Sequence, residues 1–436
     1  MNVDDFRRHD VNRRQFLGSS ARNAAGMAAA GMVGLAGAVA KAAPGERVSV
    51  GVIGVRGQGD VLAKSFAAFT DVDVAALCDV DQGLRHAAVK SVEEIQHRAP
   101  RWESDFRRLL DDRSLDAVVI ATPDHWHAAM TVMACQAGKD VYVETPVSHV
   151  PAEGRVMLDA ARASKRIVQS GLQQRSSAHF QSAIEFVRSG KLGNVSLAKA
   201  WTVHKRKSVG FRKDSPKPEG VDYDLWLGPS AVRPFNANRF HYNWRWFWDY
   251  GSGELGHWGV QMLDVARWGL NVDLPTRISA AGGKHHLNDD QETPDTLAVQ
   301  YSFPGKTIVW EHRLWSTHGI EGRSTGAAFY GELGTLVVDR GGWKVYDVKE
   351  SISADAADLP RRHEREFIES IRSRALPSAD LEIGHTSSMF CHLGNIAYRL
   401  GREIRYDARS ENFGSDGEAN LLLATEYRKP WVASLA

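Results

Sequence analysis

The chain has 436 residues, 43% of them hydrophobic and 25% charged, with a formal net charge of +1. This is an ordinary globular composition with enough chain for two domains. The charge balance implies no polyanion partner, so no nucleic-acid partner is expected. Basic residues are scattered; their one dense cluster, residues 204–213, reads as a solvated loop.

Residues 1–42 read as an address rather than as fold. Asn12-Arg13-Arg14-Gln15-Phe16-Leu17-Gly18 is a twin-arginine export signal, followed by an Ala/Gly stretch that ends in Ala38-Val39-Ala40-Lys41-Ala42. Both A-x-A sites suit cleavage. That stretch carries Arg22 and little Leu or Ile, which argues against a membrane span. It has no Cys, which excludes a lipoprotein. The expectation is a periplasmic protein whose partner in transit is the twin-arginine machinery.

Residues 48–53 form an apolar strand that runs into Gly54-Val55-Arg56-Gly57-Gln58-Gly59 and then a helix from about residue 61. This is the strand–glycine loop–helix context of a dinucleotide site. Gly54 permits the tight turn and Gly59 close packing, while Arg56 occupies the middle glycine position and either pairs with phosphate or obstructs it. A second strand, 72–78, ends in Asp79, where a carboxylate accepts ribose hydroxyls and repels a 2′-phosphate. NAD is therefore expected over NADP, with its pyrophosphate along Gly54, Arg56, Gly57, Gln58 and Gly59.

Residues 102–110 suggest a short amphipathic helix. Residues 115–121 read as a strand buried on both faces. Thr122-Pro123-Asp124-His125-Trp126-His127 leads into a helix over 127–137, and a further strand at 140–144 ends at Glu144-Thr145-Pro146. In open parallel sheets ligands gather beyond the carboxyl ends of the strands. Thr122, Pro123, His125, His127, Glu144 and Thr145 are thus cofactor candidates. A helix at 152–164 and a strand at 167–170 close a Rossmann half spanning 46–170. Gln173 and Arg175 follow that strand end and also face the cleft.

A second domain, 171–436, opens with a helix at 177–190 and a strand at 195–203. Residues 239–250, RFHYNWRWFWDY, interleave aromatic and polar groups. Aromatic faces stack on sugar rings and polar groups bind hydroxyls, though such rings equally serve core packing. His241, Trp244 and Trp246 are the substrate candidates here, with Tyr242 a catalytic one. Residues 251–264 enter a helix that carries His257 and Gln261 four apart on one face, then Asp264. Strands at 297–303, 307–314, 327–330, 335–338 and 343–346 indicate a large, open, largely antiparallel sheet. Helices are expected at 361–374 and 382–397. Cys78, Cys135 and Cys391 show neither disulfide nor metal spacing, so buried thiols and no metal are expected.

TPDHWHA, GKDVYVE-x-PVSH, G-x-Q-x-R-S at 171–176, the helix at 256–264 and GH-x-S-S…CHLGNIA resemble the glucose-fructose oxidoreductase, inositol dehydrogenase and rhizopine-catabolism (Gfo/Idh/MocA) family, in its exported bacterial branch. The resemblance covers nearly all the chain beyond residue 42. It implies an α/β fold, a Rossmann domain plus an α+β domain, that assembles as a homo-oligomer through the second sheet. It also implies tightly held NAD, a carbohydrate substrate and a cis bond before Pro146. The family's Glu-Lys-Pro lysine is here Thr145, and its helix histidine is Gln261. Thr and Gln are not bases near neutral pH. His257 is therefore the expected base, with Asp124, His125, His127, His241 and Tyr242 behind it; His257, Arg175 and Asp264 are also expected to contact substrate. Three functions follow: an NAD-dependent oxidoreductase acting on a sugar, polyol or glycoside; a redox-neutral NAD-dependent glycosidase or lyase working through a transient keto-sugar; or a non-catalytic sugar-binding relative. The exported NAD-dependent α-N-acetylgalactosaminidases also lack that lysine.

Overall fold

The computed structural model describes residues 47–346, 350–354 and 358–431. The expected export signal, residues 1–42, lies outside the described residues.

Two sheets organise the chain. The first is six-stranded and built from β1 (Val48–Ile53), β2 (Val72–Cys78), β3 (Arg101–Glu103), β4 (Ala117–Ile120), β5 (Asp140–Val143) and β6 (Val168–Ser170), in the order 3-2-1-4-5-6. Every pairing in it is parallel. This is the Rossmann order, with its switch point between β1 and β4. Both faces are covered, so the strands are continuously apolar: Val50, Val52 and all of β4 are fully buried. Each such side chain contributes about 1.5–3 kcal/mol against exposure. The helices that matter to the site are α1 (Gln58–Ala67) after β1 and α2 (Asp124–Gln136) after β4.

The second sheet has nine strands: β7 (Val195–Val203), β8 (Arg277–Gly283), β9 (Thr296–Phe303), β10 (Lys306–Arg313), β11 (Thr325–Gly331), β12 (Gly334–Asp339), β13 (Gly342–Tyr346), β14 (Ser351–Ser353) and β15 (Ile404–Arg405). Their order is 14-13-12-11-7-10-9-8-15. All pairs are antiparallel except β10 with β7. One face packs on α3 (Val260–Leu270) and α4 (Leu381–Leu400), around Trp310, Tyr301, Phe329 and Phe390. All three cysteines are buried and unpaired. Among the described residues no helix is long and apolar enough to cross a membrane.

The expected helix at 102–110 is instead split. Trp102 pairs with Leu77 as part of β3, and only Arg107–Asp111 is helical. The helix expected from His127 begins at Asp124, one turn earlier, which places Asp124, His125 and His127 in its first turn. The strand β8 was not evident in the sequence because Ala and Gly fill its centre. It forms because Gly282 lets the neighbouring strand approach: a Cβ there would lie 2.1 Å from the Thr296 carbonyl oxygen.

Candidate active site

A cavity of about 410 Å³ runs from the carboxyl ends of β1, β2, β4 and β5 to the segment 240–261 of the second domain.

Its first end is made by backbone. Gly54 adopts φ +82°, and a Cβ on it would press within 2.8 Å of the Ala121 carbonyl oxygen. Gly59 packs α1 onto that turn so closely that a Cβ would sit 1.7 Å from the Gly54 oxygen. The fingerprint's missing middle glycine is offset by Gly57, whose φ is +52° and whose Cβ direction is open. No side chain caps the first turn of α1, so its N-terminus is left for an anion. Asp79 stands beside it. One carboxylate oxygen accepts from the Val55 amide (3.0 Å) and the other from the Asp81 amide (3.0 Å). Burial pushes its pKa up. Arg56 does not obstruct the loop: it turns away to Asp81, 3.3 Å distant. His241, from the second domain and also at positive φ, lies 3.3 Å from the same carboxylate. These residues fit a dinucleotide: two glycines no other residue can replace, an uncapped helix start and a carboxylate at the strand end.

The far end is made by side chains from separate elements. Glu144 accepts from Gln58 Nε2 (3.1 Å) and from the Thr145 amide (3.2 Å). Thr145 precedes a cis peptide to Pro146. Gln261 donates from Nε2 to Thr145 Oγ1 (2.8 Å) and to the Gly171 carbonyl (2.9 Å), while its Oε1 is buried without a partner. The side chain is thus locked, with an acceptor unused. Asp124 accepts from Ser252 Oγ at 2.8 Å. Burial pushes the carboxyls of Asp124 and Glu144 up to about 7.

His257 stands on a π-helical turn, Leu255–Gly259, that leads into α3. Arg245 Nη1 lies 2.6 Å from its Nε2 and 3.0 Å from its Nδ1. Burial, reinforced by that guanidinium, holds the imidazole well below its usual pKa. His257 therefore stays neutral and is a weaker base than its sequence position promised. Behind it Glu254 is fully buried, bonded by His204 (3.1 Å) and Arg206 (3.0 Å). Arg206 Nη1 also donates to the Tyr242 hydroxyl (2.9 Å) at the cavity wall.

Of the expected residues, Gly54, Arg56, Gly57, Gln58, Asp79, Thr122, Pro123, His127, Glu144, Thr145, Gln173, His241, Tyr242, Trp244, His257 and Gln261 line this one cavity. Five others do not. Gly59 sits beneath the loop. His125 points into an aromatic cluster, with Nε2 2.9 Å from the Trp226 carbonyl. Trp246 is core. Arg175 and Asp264 form a buried two-bond ion pair (2.8 Å each) that also ties in Ser387. Their mutual charge and hydrogen bonds are satisfied internally, so neither is free for substrate. His127 lies between the Thr122 and Pro146 carbonyls (2.9 and 2.7 Å) and fixes the two strand ends together. Arg340, in the β12–β13 turn, and Arg245, within its aromatic run, stand in no recognisable motif of the sequence, yet both line the far end.

This fold and cavity define a dinucleotide-binding architecture, a Rossmann domain joined to a separate C-terminal domain. The chain belongs to the Gfo/Idh/MocA oxidoreductase family: residues 48–172 match its NAD-binding Rossmann fold and residues 199–433 its C-terminal alpha/beta domain. It is 26% identical over 428 residues to a glycosyl hydrolase family 109 protein of Shewanella sp. (strain ANA-3), covering 90% of this chain and 88% of that one. It is 30% identical over 243 residues to inositol 2-dehydrogenase 1 of Saccharopolyspora erythraea, covering 54% and 69%. Among solved structures it resembles a levoglucosan dehydrogenase in complex with NADH and levoglucosan, with TM-score 0.65 and 16% identity over 82% of this chain and 99% of that one.

Proposed function

We propose that the protein is an exported, periplasmic NAD-dependent oxidoreductase that removes hydride from a carbon of a sugar, polyol or glycoside. The observation that carries this reading is the continuity of one cavity. It joins the Gly54–Gln58 loop and Asp79 to Asp124, Thr145, His257 and Gln261. The loop and the N-terminus of α1 hold the pyrophosphate, Asp79 the ribose, and Glu144 with Gln173 the far ring. NAD, when bound, supplies the two-electron acceptor.

The chain's own groups manage the proton. Asp124, with a pKa of about 7, is matched to accept it from the substrate hydroxyl as hydride leaves and a carbonyl forms. Gln261 Oε1 and Thr145 orient the hydroxyl. Neutral His257 hydrogen-bonds it without competing for the proton. Trp244 and Tyr242 provide the ring-stacking wall.

A second reading is a redox-neutral glycosidase, in which the keto-sugar undergoes elimination and hydride returns. It is favoured by the family 109 relative, which matches along 90% of this chain. Product analysis separates the two. Protein purified from periplasm should carry NAD by mass spectrometry. A keto-sugar with one reduced cofactor per turnover identifies the oxidoreductase, and released aglycone without net NADH the glycosidase. Protein that neither carries nor binds NAD overturns both. Replacing Arg13 and Arg14 by Lys should strand the precursor in the cytoplasm; unchanged export overturns the localisation.

A further inference from the structure

The far end of the cavity carries two guanidinium groups, Arg245 and Arg340, that no carboxylate meets in a direct ion pair among the described residues. Arg245 is buried and lines the wall. Its Nε donates to the Tyr242 carbonyl (2.7 Å) and its Nη1 contacts His257, while its Nη2 meets no hydrogen-bond partner among the described residues. Its guanidinium lies 3.9 Å from the Tyr242 ring centroid and 5.0 Å from that of Trp244, which fixes its plane. Arg340 lines the same end, 5.1 Å from the Trp258 ring centroid. Its Nη2 reaches Gln173 only at 3.5 Å, and its Nε is buried without a partner. No carboxylate forms an ion pair with either guanidinium among the described residues, whereas Arg56 and Arg206 are paired with Asp81 and Glu254.

The nearby acids act on these guanidiniums through space, and their hydrogen bonds go to other groups. Glu254 is held by His204 and Arg206, Asp124 by Ser252, and Glu144 by Gln58 and the Thr145 amide. A buried charge without a counter-ion is costly, and a guanidinium fork matches planar or tetrahedral oxyanions. We infer that this end recognises a sugar bearing an anionic substituent, a carboxylate or a sulfate ester, through Arg245 and Arg340. The inference rests on the sugar-binding reading above and narrows it to acidic sugars.

Calorimetric titration of the NAD-loaded protein tests it. The probes are glucuronate beside glucose, galacturonate beside galactose, and N-acetylgalactosamine 6-sulfate beside N-acetylgalactosamine. The anionic member of at least one pair should bind at least about ten-fold tighter, the scale of one charge-assisted hydrogen bond. The carboxylate and sulfate arms report which oxyanion is read. Arg245→Gln and Arg340→Gln should each erase that preference, and Arg245→Lys should keep part of it. Thermal melting and NAD content of the same samples show whether each variant is folded. The inference is overturned if no anionic probe binds, if neutral partners bind equally well, or if folded variants keep the full preference. Neutral sugars oxidised with NADH formation, and acidic ones ignored, would overturn it while leaving the oxidoreductase reading intact.

Discussion

The two ends of the cavity are built on different principles. The nucleotide end is a backbone device in which one β–turn–α unit, from Val48 to Ala67, supplies nearly everything, with Asp79 added one strand later. The substrate end is an assembly of single side chains. Asp124 begins α2, Thr145 follows the end of β5, Arg245 sits in a short 3-10 helix, Gln261 lies in α3, and Arg340 turns between β12 and β13. A local device keeps its function through sequence drift as long as its glycines remain. An assembly can change its chemistry by exchanging one side chain at a time.

The contrast is broken most severely if proton transfer does not belong to the substrate end. Asp124→Asn should lower kcat by about 10²- to 10⁴-fold with NAD affinity unchanged. His257→Ala should cost much less, because the imidazole is held neutral in the wild type. Steady-state kinetics beside NAD titration decide. A His257→Ala loss equal to that of Asp124→Asn would return the base to His257.

A smaller effect sharpens the other end. Asp79→Ala should weaken NAD binding by about ten-fold or more, the scale of a charged hydrogen bond, and improve NADP relative to it. Equal losses for both nucleotides would mean that Asp79 only braces the Val55 and Asp81 amides.

The same physics explains what the sequence disclosed. The strand–loop–helix units of the Rossmann half, the cavity's glycine loop and Asp79 were readable because each depends on residues close together in the chain with a fixed period or spacing. The π-helical turn under His257 was not, since nothing in Leu255–Gly259 marks the extra residue per turn. Arg175 and Asp264 were mistaken for ligand groups because polar residues near a strand end and on a cavity-side helix look alike whether or not they face each other. Only the fold shows that they do. Arg340 lay beyond reach for the opposite reason, since a lone arginine in a hairpin turn reads as solvated surface.

The smallest effect is on stability, where both ends contribute. Burial raises Asp124, Glu144 and Glu153 to about 7 and Glu364 to about 8. The folded state then keeps protons that the unfolded chain releases from about pH 4 upward, so stability falls as pH rises to those values. Burial lowers His125 and His392 to about 3 and His149, His241, His363 and His385 to about 4. These hold protons in the unfolded chain up to about pH 6.5, so their contribution to stability rises with pH to that point. Above it only the carboxyls act. The melting temperature should peak near about pH 6.5 and decline by a few degrees toward pH ~8. A melting temperature that keeps rising above the peak would mean that these carboxyls ionise in the folded protein.

The seam between the two domains beside the nucleotide end has a kinetic consequence. The Gln82 amide donates to the Gly220 carbonyl (3.0 Å) and the Asp222 amide to that of Val80 (3.0 Å), while Asp81 draws in both Arg56 and His241. The loop that would receive the adenosine half is thus stitched to the substrate domain. Under the proposed reading, a bound nucleotide would exchange at the frequency with which this stitching opens rather than at a rate set by its own contacts.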